Sequence, residues 1–177
     1  MTVSNQQAVL KLDIRLLRRV VATLLRDVLG LREFMLEINF VTGAEITRLN
    51  ETFLKHEGST DVITFDYAPE AAVNSRRTSR AINPPRNRLR GEVFICVEEA
   101  VAQASTFHAT VGCELVRYVV HGVLHLLGFD DLRAARRRVM KREEDRLVDQ
   151  LARRFDLAGF TYRISAQENR MLGKATH

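Results

Sequence analysis

The feature that most constrains the fold is a nearly all-apolar run from Leu115 to Leu127 that contains two histidines. A run of this length and composition predicts a buried α-helix. His121 and His125 are four residues apart, so their rings lie one above the other on one face of such a helix. Buried rings need partners for their polar nitrogens, and a shared metal ion supplies one. The alternative is two core histidines with separate hydrogen bonds.

The residues just after this run complete a possible ligand set. Gly128 suits the position after a helix end, where a left-handed backbone reverses the chain. That reversal can bring Asp130 or Asp131 back toward the two rings. Three protein ligands with an open position are typical of a catalytic metal site. The residues alone leave the choice between the two aspartates open.

The length of 177 residues predicts one domain with a substantial core. No apolar run reaches the roughly 20 residues that span a bilayer, and the segment after Met1 lacks the features of a secretory signal. Cys96 and Cys113 lie in apolar segments without the spacing of a disulfide framework. A cytoplasmic protein without membrane association is therefore expected. Cys96 is expected in the core rather than as a metal ligand.

The positive charge of the chain is concentrated in two segments. The net charge is +5, and residues 76–90 carry six arginines and no acid. A second basic set begins two residues after the proposed metal ligands and comprises Arg133, Arg136, Arg137, Arg138, Lys141 and Arg142. These segments favour a polyanionic substrate, and the alternative is a solvated loop and a solvated helix face.

The apolar periodicity predicts an α+β domain in which helices cover a small mixed sheet. Residues 1–155 are expected to form this single domain, and residues 156–177 a partly disordered tail. The predicted elements are a helix from Ile14 to Val28, strands at Phe34–Val41, Thr60–Phe65 and Glu92–Val97, a short helix at Ala44–Leu54, a surface loop at 68–90, a helix at Glu98–Phe107, the histidine helix and a helix near 133–154.

Three segments, in matching order, resemble the YbeY family of bacterial endoribonucleases, the rRNA maturation factors. Thr60–Phe65 is similar to the family's Thr-Asp-Val-Leu-Ser-Phe-like strand, and Gly91–Ile95 to its Gly-Asp/Glu-hydrophobic-Ile segment. His121–Asp131 is similar to its His-Gly-x-Leu-His-Leu-x-Gly-Tyr-Asp-His motif. Leu49-Asn50 followed by Phe53-Leu54 also resembles the family's preceding segment, so the likeness runs from about residue 13 to 150.

The resemblance implies a zincin-like metal-dependent hydrolase that cleaves single-stranded RNA. It implies action in ribosomal RNA maturation and ribosome quality control, with ribosomal RNA and the ribosome as partners. The family's third metal histidine falls at Asp131, so the implied ligands of one ion are His121, His125 and Asp131. Zinc is the first choice, and a set of two histidines and one carboxylate also accepts Fe²⁺ or Mn²⁺.

The chain departs from the family pattern at a second position, because the family's usual arginine before the Thr-Asp strand falls at Leu54. Lys55, His56 or the arginine-rich loop could replace its contact with phosphate. We therefore expect substrate contacts from Lys55 and from three arginines of that loop, Arg86, Arg88 and Arg90.

The catalytic base is not fixed by the sequence, and Asp130 and His56 are its candidates. Asp61 is expected to cap local backbone. Gly122 follows His121 where His-Glu-x-x-His peptidases have their glutamate base, which disfavours a peptidase. Gly122 is expected to leave open space above the metal. The alternative function is a non-catalytic RNA- or ribosome-binding protein whose metal stiffens the end of the helix.

Overall fold

The computed structural model describes residues 1–68 and 88–163. Single π-helical turns, Leu24–Val28 and Asn50–Leu54, extend the helices Ile14–Thr23 and Gly43–Leu49. The elements of the described residues are β1 (Thr2–Asn5), β2 (Leu10–Leu12), α1 (Ile14–Thr23), β3 (Glu33–Val41), α2 (Gly43–Leu49), β4 (Val62–Asp66), β5 (Arg88–Cys96), α3 (Val97–Thr106), α4 (Val111–Leu126), α5 (Ala134–Ala152) and β6 (Thr161–Arg163).

The main sheet has four strands in the order β1-β3-β5-β4. β1 and β5 run parallel to β3, whereas β4 runs antiparallel to β5. Strand β5 is internal, and its apolar side chains Val93 and Ile95 are fully buried. The predicted α+β class, a small mixed sheet covered by helices, is confirmed.

Helix α4 crosses this sheet against β4 and β5 and also packs against α3 and α5. Gly122 allows the close approach, because a Cβ atom there would lie 2.6 Å from Cγ1 of Val93 and 3.4 Å from Cγ2 of Thr64. Gly122 is buried against the sheet. The expectation that it leaves open space above the metal is therefore wrong: its missing side chain serves helix–sheet packing.

Two segments that were expected to be irregular belong to the sheets. Residues 88–90 of the predicted loop form the start of β5, because they pair with Glu33–Met35 of β3. Thr161–Arg163 of the predicted tail forms β6, which pairs antiparallel with β2. Residues 69–87 of the loop and 164–177 of the tail lie outside the described residues.

Cys96 is fully buried beside Val41, Ile46 and Leu49, which confirms its expected place in the core. Within the described ranges, no helix combines the length and the apolar character needed to cross a membrane.

Candidate metal centre

The turn that follows α4 carries out the predicted chain reversal. Gly128 adopts φ +94°, in the left-handed region that glycine tolerates. The backbone N–H of Gly128 donates to the carbonyl of His125 (2.8 Å), and that of Phe129 to the carbonyl of Leu124 (3.0 Å). These bonds close the end of the helix. As a result, one ligand atom each from His121, His125 and Asp131 lie within 4.8 Å of one another.

The hydrogen bonds of the two rings fix where their protons are. Nδ1 of His121 lies 2.9 Å from Oε2 of Glu144, and Nδ1 of His125 lies 3.2 Å from the carbonyl oxygen of Phe129. A carbonyl and an ionised carboxylate can only accept, so both rings carry hydrogen at Nδ1. Their Nε2 lone pairs therefore face each other across 3.0 Å.

Two facing lone pairs at this distance repel unless a cation lies between them. A proton or a metal ion can do this, and the Asp131 carboxylate adds a negative ligand. Tetrahedral zinc with Zn–N bonds of about 2.0–2.1 Å holds two nitrogens about 3.3 Å apart, close to the spacing here. The donor set therefore fits one divalent ion.

Glu144 is a buried carboxylate, 4% exposed, that holds the His121 ring from α5. Its Oε1 accepts from Nη1 of Arg117 (2.8 Å) and from Nζ of Lys141 (2.7 Å). Burial alone would raise the pKa of Glu144, but the hydrogen bonds from His121, Lys141 and Arg117 lower it to about 2. The carboxylate therefore stays ionised and oriented, as a partner of a metal-bound imidazole commonly is.

Glu144 was not among the residues predicted for the site, although the sequence contains a signal for it. The buried residues of α5 are Met140, Glu144, Leu147, Val148 and Leu151, so the glutamate occupies the apolar stripe of an otherwise charged helix. An acid in that position needs a buried partner.

The two histidines have opposite pKa shifts. Burial would lower the pKa of His121, but the hydrogen bond and charge of Glu144, with the charges of Asp61 and Asp131, raise it. Burial lowers the pKa of His125, and the neighbouring charge of His121 lowers it further. The pair therefore accepts one positive charge more readily than two.

A cleft of about 530 Å³ opens beside His121 and Asp131. Asp61 lines it, and its Oδ1 accepts from Oγ1 of Thr60 (3.1 Å) and from the backbone N–H of Val62 (2.9 Å). Asp61 thus caps local backbone as expected and also faces the cleft. The remaining lining residues are Ser59 and Thr60; Glu99, Gln103 and Phe107 near or on α3; Glu114, Arg117 and Tyr118 on α4; and Arg137, Lys141 and Glu144 on α5.

The family model for Endoribonuclease YbeY matches residues 2–152. The chain belongs to the YbeY family. Curated YbeY endoribonucleases similar to it include those of Parabacteroides distasonis (32% identical over 109 residues, 62% of this chain and 66% of the relative) and Salinibacter ruber (33% over 104 residues, 59% and 62%). A third, from Elusimicrobium minutum, is 35% identical over 115 residues, 63% of this chain and 72% of the relative. The matches to the first two thus span about two thirds of those proteins or less.

A solved structure supports the same fold. The solution structure of TM1509 from Thermotoga maritima superimposes with a TM-score of 0.54 at 21% identity, covering 85% of this chain and 89% of that one. The zincin-like fold expected from the YbeY resemblance is therefore confirmed at the level of the fold.

The two candidate bases from the sequence lie outside the described lining of the cleft. Asp130 forms an ion pair through Oδ2 with Arg136, and its Oδ1 is buried without a hydrogen-bond partner among the described residues. His56 follows the π-helical turn after α2, and its backbone N–H donates to the carbonyl of Asn50 (3.4 Å). The structure does not bring either side chain into the metal group.

Two of the predicted substrate contacts, Arg88 and Arg90, are also separated from the metal group. Arg88 pairs with Glu33 (2.7 Å), and Arg90 lines a separate hollow of about 240 Å³. On β5, Gly91 and Val93 face α4, so by alternation Arg88 and Arg90 face the other side of the sheet. Arg86 lies outside the described residues.

The position where the YbeY pattern has arginine lies in the π-helical turn after α2. Leu54 there is 43% exposed. The next residue, Lys55, has φ +59° and donates from Nζ to the carbonyl of Thr52 (3.1 Å). Neither residue lines the described part of the cleft.

Proposed function

We propose that this chain is a metal-dependent, single-strand-specific endoribonuclease that acts in ribosomal RNA maturation and ribosome quality control. Membership of the YbeY family and the names of the curated relatives support this activity. The observation that carries the proposal is the pair of Nε2 atoms of His121 and His125, 3.0 Å apart with both Nδ1 atoms held by acceptors. That arrangement suits a shared cation beside an open cleft.

His121, His125 and Asp131 would hold one divalent ion, for which zinc is the first choice and Fe²⁺ or Mn²⁺ the alternatives. When bound, such an ion supplies a water whose pKa is lowered to about 7 and polarises a phosphoryl oxygen. The carboxylate of Asp131 lowers the formal charge of the site by one relative to three histidines. We therefore expect two histidines and one aspartate to bind Fe²⁺ or Mn²⁺ relatively better, compared with zinc, than three histidines would.

The chain's own residues would position the reacting groups. Glu144 and the carbonyl of Phe129 hold the two imidazoles with their Nε2 atoms toward the ion. Asp61 is the carboxylate that we assign as proton acceptor, because it lines the cleft and its Oδ1 is anchored by Thr60 and Val62. Asp130 and His56 would have to move to take that role.

The RNA substrate agrees with the excess of positive charge in the chain, +5 overall. Away from the metal, the phosphate backbone is proposed to contact Lys55, Arg86, Arg88 and Arg90. Such backbone contacts position a strand without reading its sequence. A cytoplasmic location and association with the ribosome follow from a role in ribosomal RNA processing.

The test combines metal analysis with RNA cleavage. Protein purified without chelator should contain one divalent ion per chain and cleave single-stranded RNA, leaving duplex RNA intact. His121→Ala should lose both metal and cleavage. His108→Asn is the matched control, because His108 is exposed and its φ of +54° suits asparagine. Stoichiometric metal without cleavage by the wild-type protein would favour a non-catalytic RNA- or ribosome-binding protein instead.

A further inference from the structure

Phe107 is a large aromatic side chain exposed at the cleft that contains the metal group. It is 69% exposed and lines the same cleft as His121 and Asp131. In the described part of the chain, no aromatic ring stacks on it. An exposed aromatic ring in a cleft offers a free apolar face on which a flat ligand can stack.

The backbone holds Phe107 at this position. Its N–H closes α3 by donating to the carbonyl of Gln103 (3.0 Å), and the N–H of Ala109 donates to the carbonyl of Ala104 (3.0 Å). Between them, His108 adopts φ +54°, a left-handed conformation uncommon for residues other than glycine. The ring therefore projects from a closed helix end rather than from an open loop.

The α3 wall of the cleft carries acceptors beside this ring. Glu99, Gln103 and Phe107 are spaced four residues apart and so form one stripe along the helix. The carboxylate of Glu99 disfavours a phosphate here, whereas the stripe suits a neutral, flat group with N–H donors. A nucleobase has these properties.

The α5 wall carries two cations of the cleft, and a third, Arg117 on α4, is held by Glu144 and Asp145. Arg137 and Lys141 line the cleft four residues apart. Nε of Arg137 donates to the backbone carbonyl of Asp131 (2.9 Å), which fixes the guanidinium beside a proposed metal ligand. Lys141 is held by Glu144 (2.7 Å) and Asp145 (3.3 Å). Arg137 is thus the cation best placed to meet a phosphate near the ion.

We propose that Phe107 is a stacking platform for one nucleobase of a single-stranded RNA, with the adjoining phosphate directed toward Arg137. The subsite rests on the proposed ribonuclease function and adds to it the place where a base is bound. A nucleotide carries its base and its phosphate on different sides of the sugar, which matches the aromatic α3 wall and the cationic α5 wall. A base paired and stacked within a duplex cannot cover the ring.

The experiment measures binding of a short, fluorescein-labelled, phosphorothioate-linked single-stranded RNA to the metal-loaded protein. Phe107→Ala should weaken binding about 5- to 150-fold, the range found for base–aromatic stacking. Phe107→Tyr keeps the π-face and should retain wild-type affinity. Val9→Ala removes an apolar side chain that is 42% exposed and lines neither this cleft nor the hollow beside Arg90, and it should bind as the wild type does.

An RNA of the same length with abasic nucleotides separates stacking from backbone binding. The wild-type protein and Phe107→Ala should bind it equally, and both should keep one metal ion per chain. Equal affinity of the two proteins for the intact RNA would overturn the subsite and leave Phe107 as a contact for a protein partner. If the wild-type protein neither binds nor cleaves RNA, the ribonuclease proposal fails as well, so the two failures are distinguishable.

Discussion

Nδ1 of His121 on α4 lies 2.9 Å from Oε2 of Glu144 on α5, and this contact joins two helices at the centre of the site. A carboxylate in this position fixes the tautomer of a metal-binding imidazole and makes its other nitrogen more basic, so that this nitrogen binds a metal ion more strongly. We predict that Glu144→Gln lowers metal affinity by about 10- to 100-fold. Competition with a chromophoric chelator measures the change directly.

Glu143→Gln is the control for this substitution. Glu143 is the preceding residue of α5, and its carboxylate pairs with Arg146 instead of the histidine (2.5 Å). Its variant should bind metal as the wild type does. Equal affinities for all three proteins would mean that Glu144 serves stability alone, which thermal unfolding of the metal-free proteins would then reveal.

The third ligand can be tested because two adjacent aspartates compete for the role. Asp131→Ala should lower metal occupancy by about an order of magnitude or more, because one of the three proposed protein ligands of the ion is removed. Stability should fall as well, because the ion binds only the folded chain. Asp130→Ala should retain the metal, because Asp130 pairs with Arg136. Elemental analysis decides the point. The reverse result would assign the ligand to Asp130, whose Oδ1 is buried without a partner among the described residues.

The arginines before and at the start of β5 are predicted to strengthen RNA binding through their charge rather than through contacts to bases. Changing Arg86, Arg88 and Arg90 together to alanine should weaken RNA binding and flatten its dependence on salt, because fewer counterions are released. Metal content should be unchanged, since Arg88 and Arg90 face away from α4. Titrations at several salt concentrations measure both quantities. An unchanged slope would show that these side chains do not touch RNA.

The packing of α4 on the sheet gives a stability prediction. A methyl group at position 122 would come within 2.6 Å of Val93, and neither backbone can yield easily. Gly122→Ala should therefore lower the free energy of unfolding by about 1–3 kcal/mol. Urea denaturation measures it. Adding Val93→Ala should recover part of the loss, and strictly additive effects would argue against the clash.

Because the thiol of Cys96 is buried, we predict that the protein loses stability at alkaline pH. Burial raises the pKa of Cys96, and hydrogen bonds from the Glu99 backbone and Ser59 only partly oppose it. The contribution of Cys96 to the free energy of unfolding is fully present below the pKa of the thiol in the unfolded chain, about 8.5. It is lost as the pH rises toward the higher pKa in the folded chain, because the unfolded chain releases its proton first. Urea unfolding at about pH 8 and about pH 10 should show a smaller fall for Cys96→Ala than for the wild type. Cys113→Ala keeps Cys96, so its free energy of unfolding should fall between the two pH values as much as that of the wild type. A fall as small as that of Cys96→Ala would contradict the assignment to Cys96.

Local patterns predicted the elements that form the site. The spacing of His121 and His125 and the left-handed glycine at 128 depend on neighbouring residues, and the structure has both. The α+β class followed from periodicity in the same way. Gly122 was misjudged because a sequence does not state which face of a helix meets the sheet.

Contacts between distant elements account for what the sequence did not predict. Glu144 is 23 residues from His121, and only the packing of α5 on α4 brings them together. β1, β2 and β6 are strands of three or four residues, too short for an alternating pattern to distinguish them from loops. The alternation of β5 sends Arg88 and Arg90 to the face opposite the histidines, which composition alone could not indicate.

The pairing of β2 with β6 has a consequence for the order in which the chain can fold during synthesis. Leu10 of β2 pairs with Arg163 of β6, and the N–H of Asp13 donates to the carbonyl of Phe160 (2.9 Å). At about 5–20 residues per second, β2 leaves the ribosome on the order of ten seconds before its partner. Until then Leu10 and Leu12 lack the strand with which they pair. A nascent chain stopped before Thr161 would keep that edge open and available to chaperones or to a second copy.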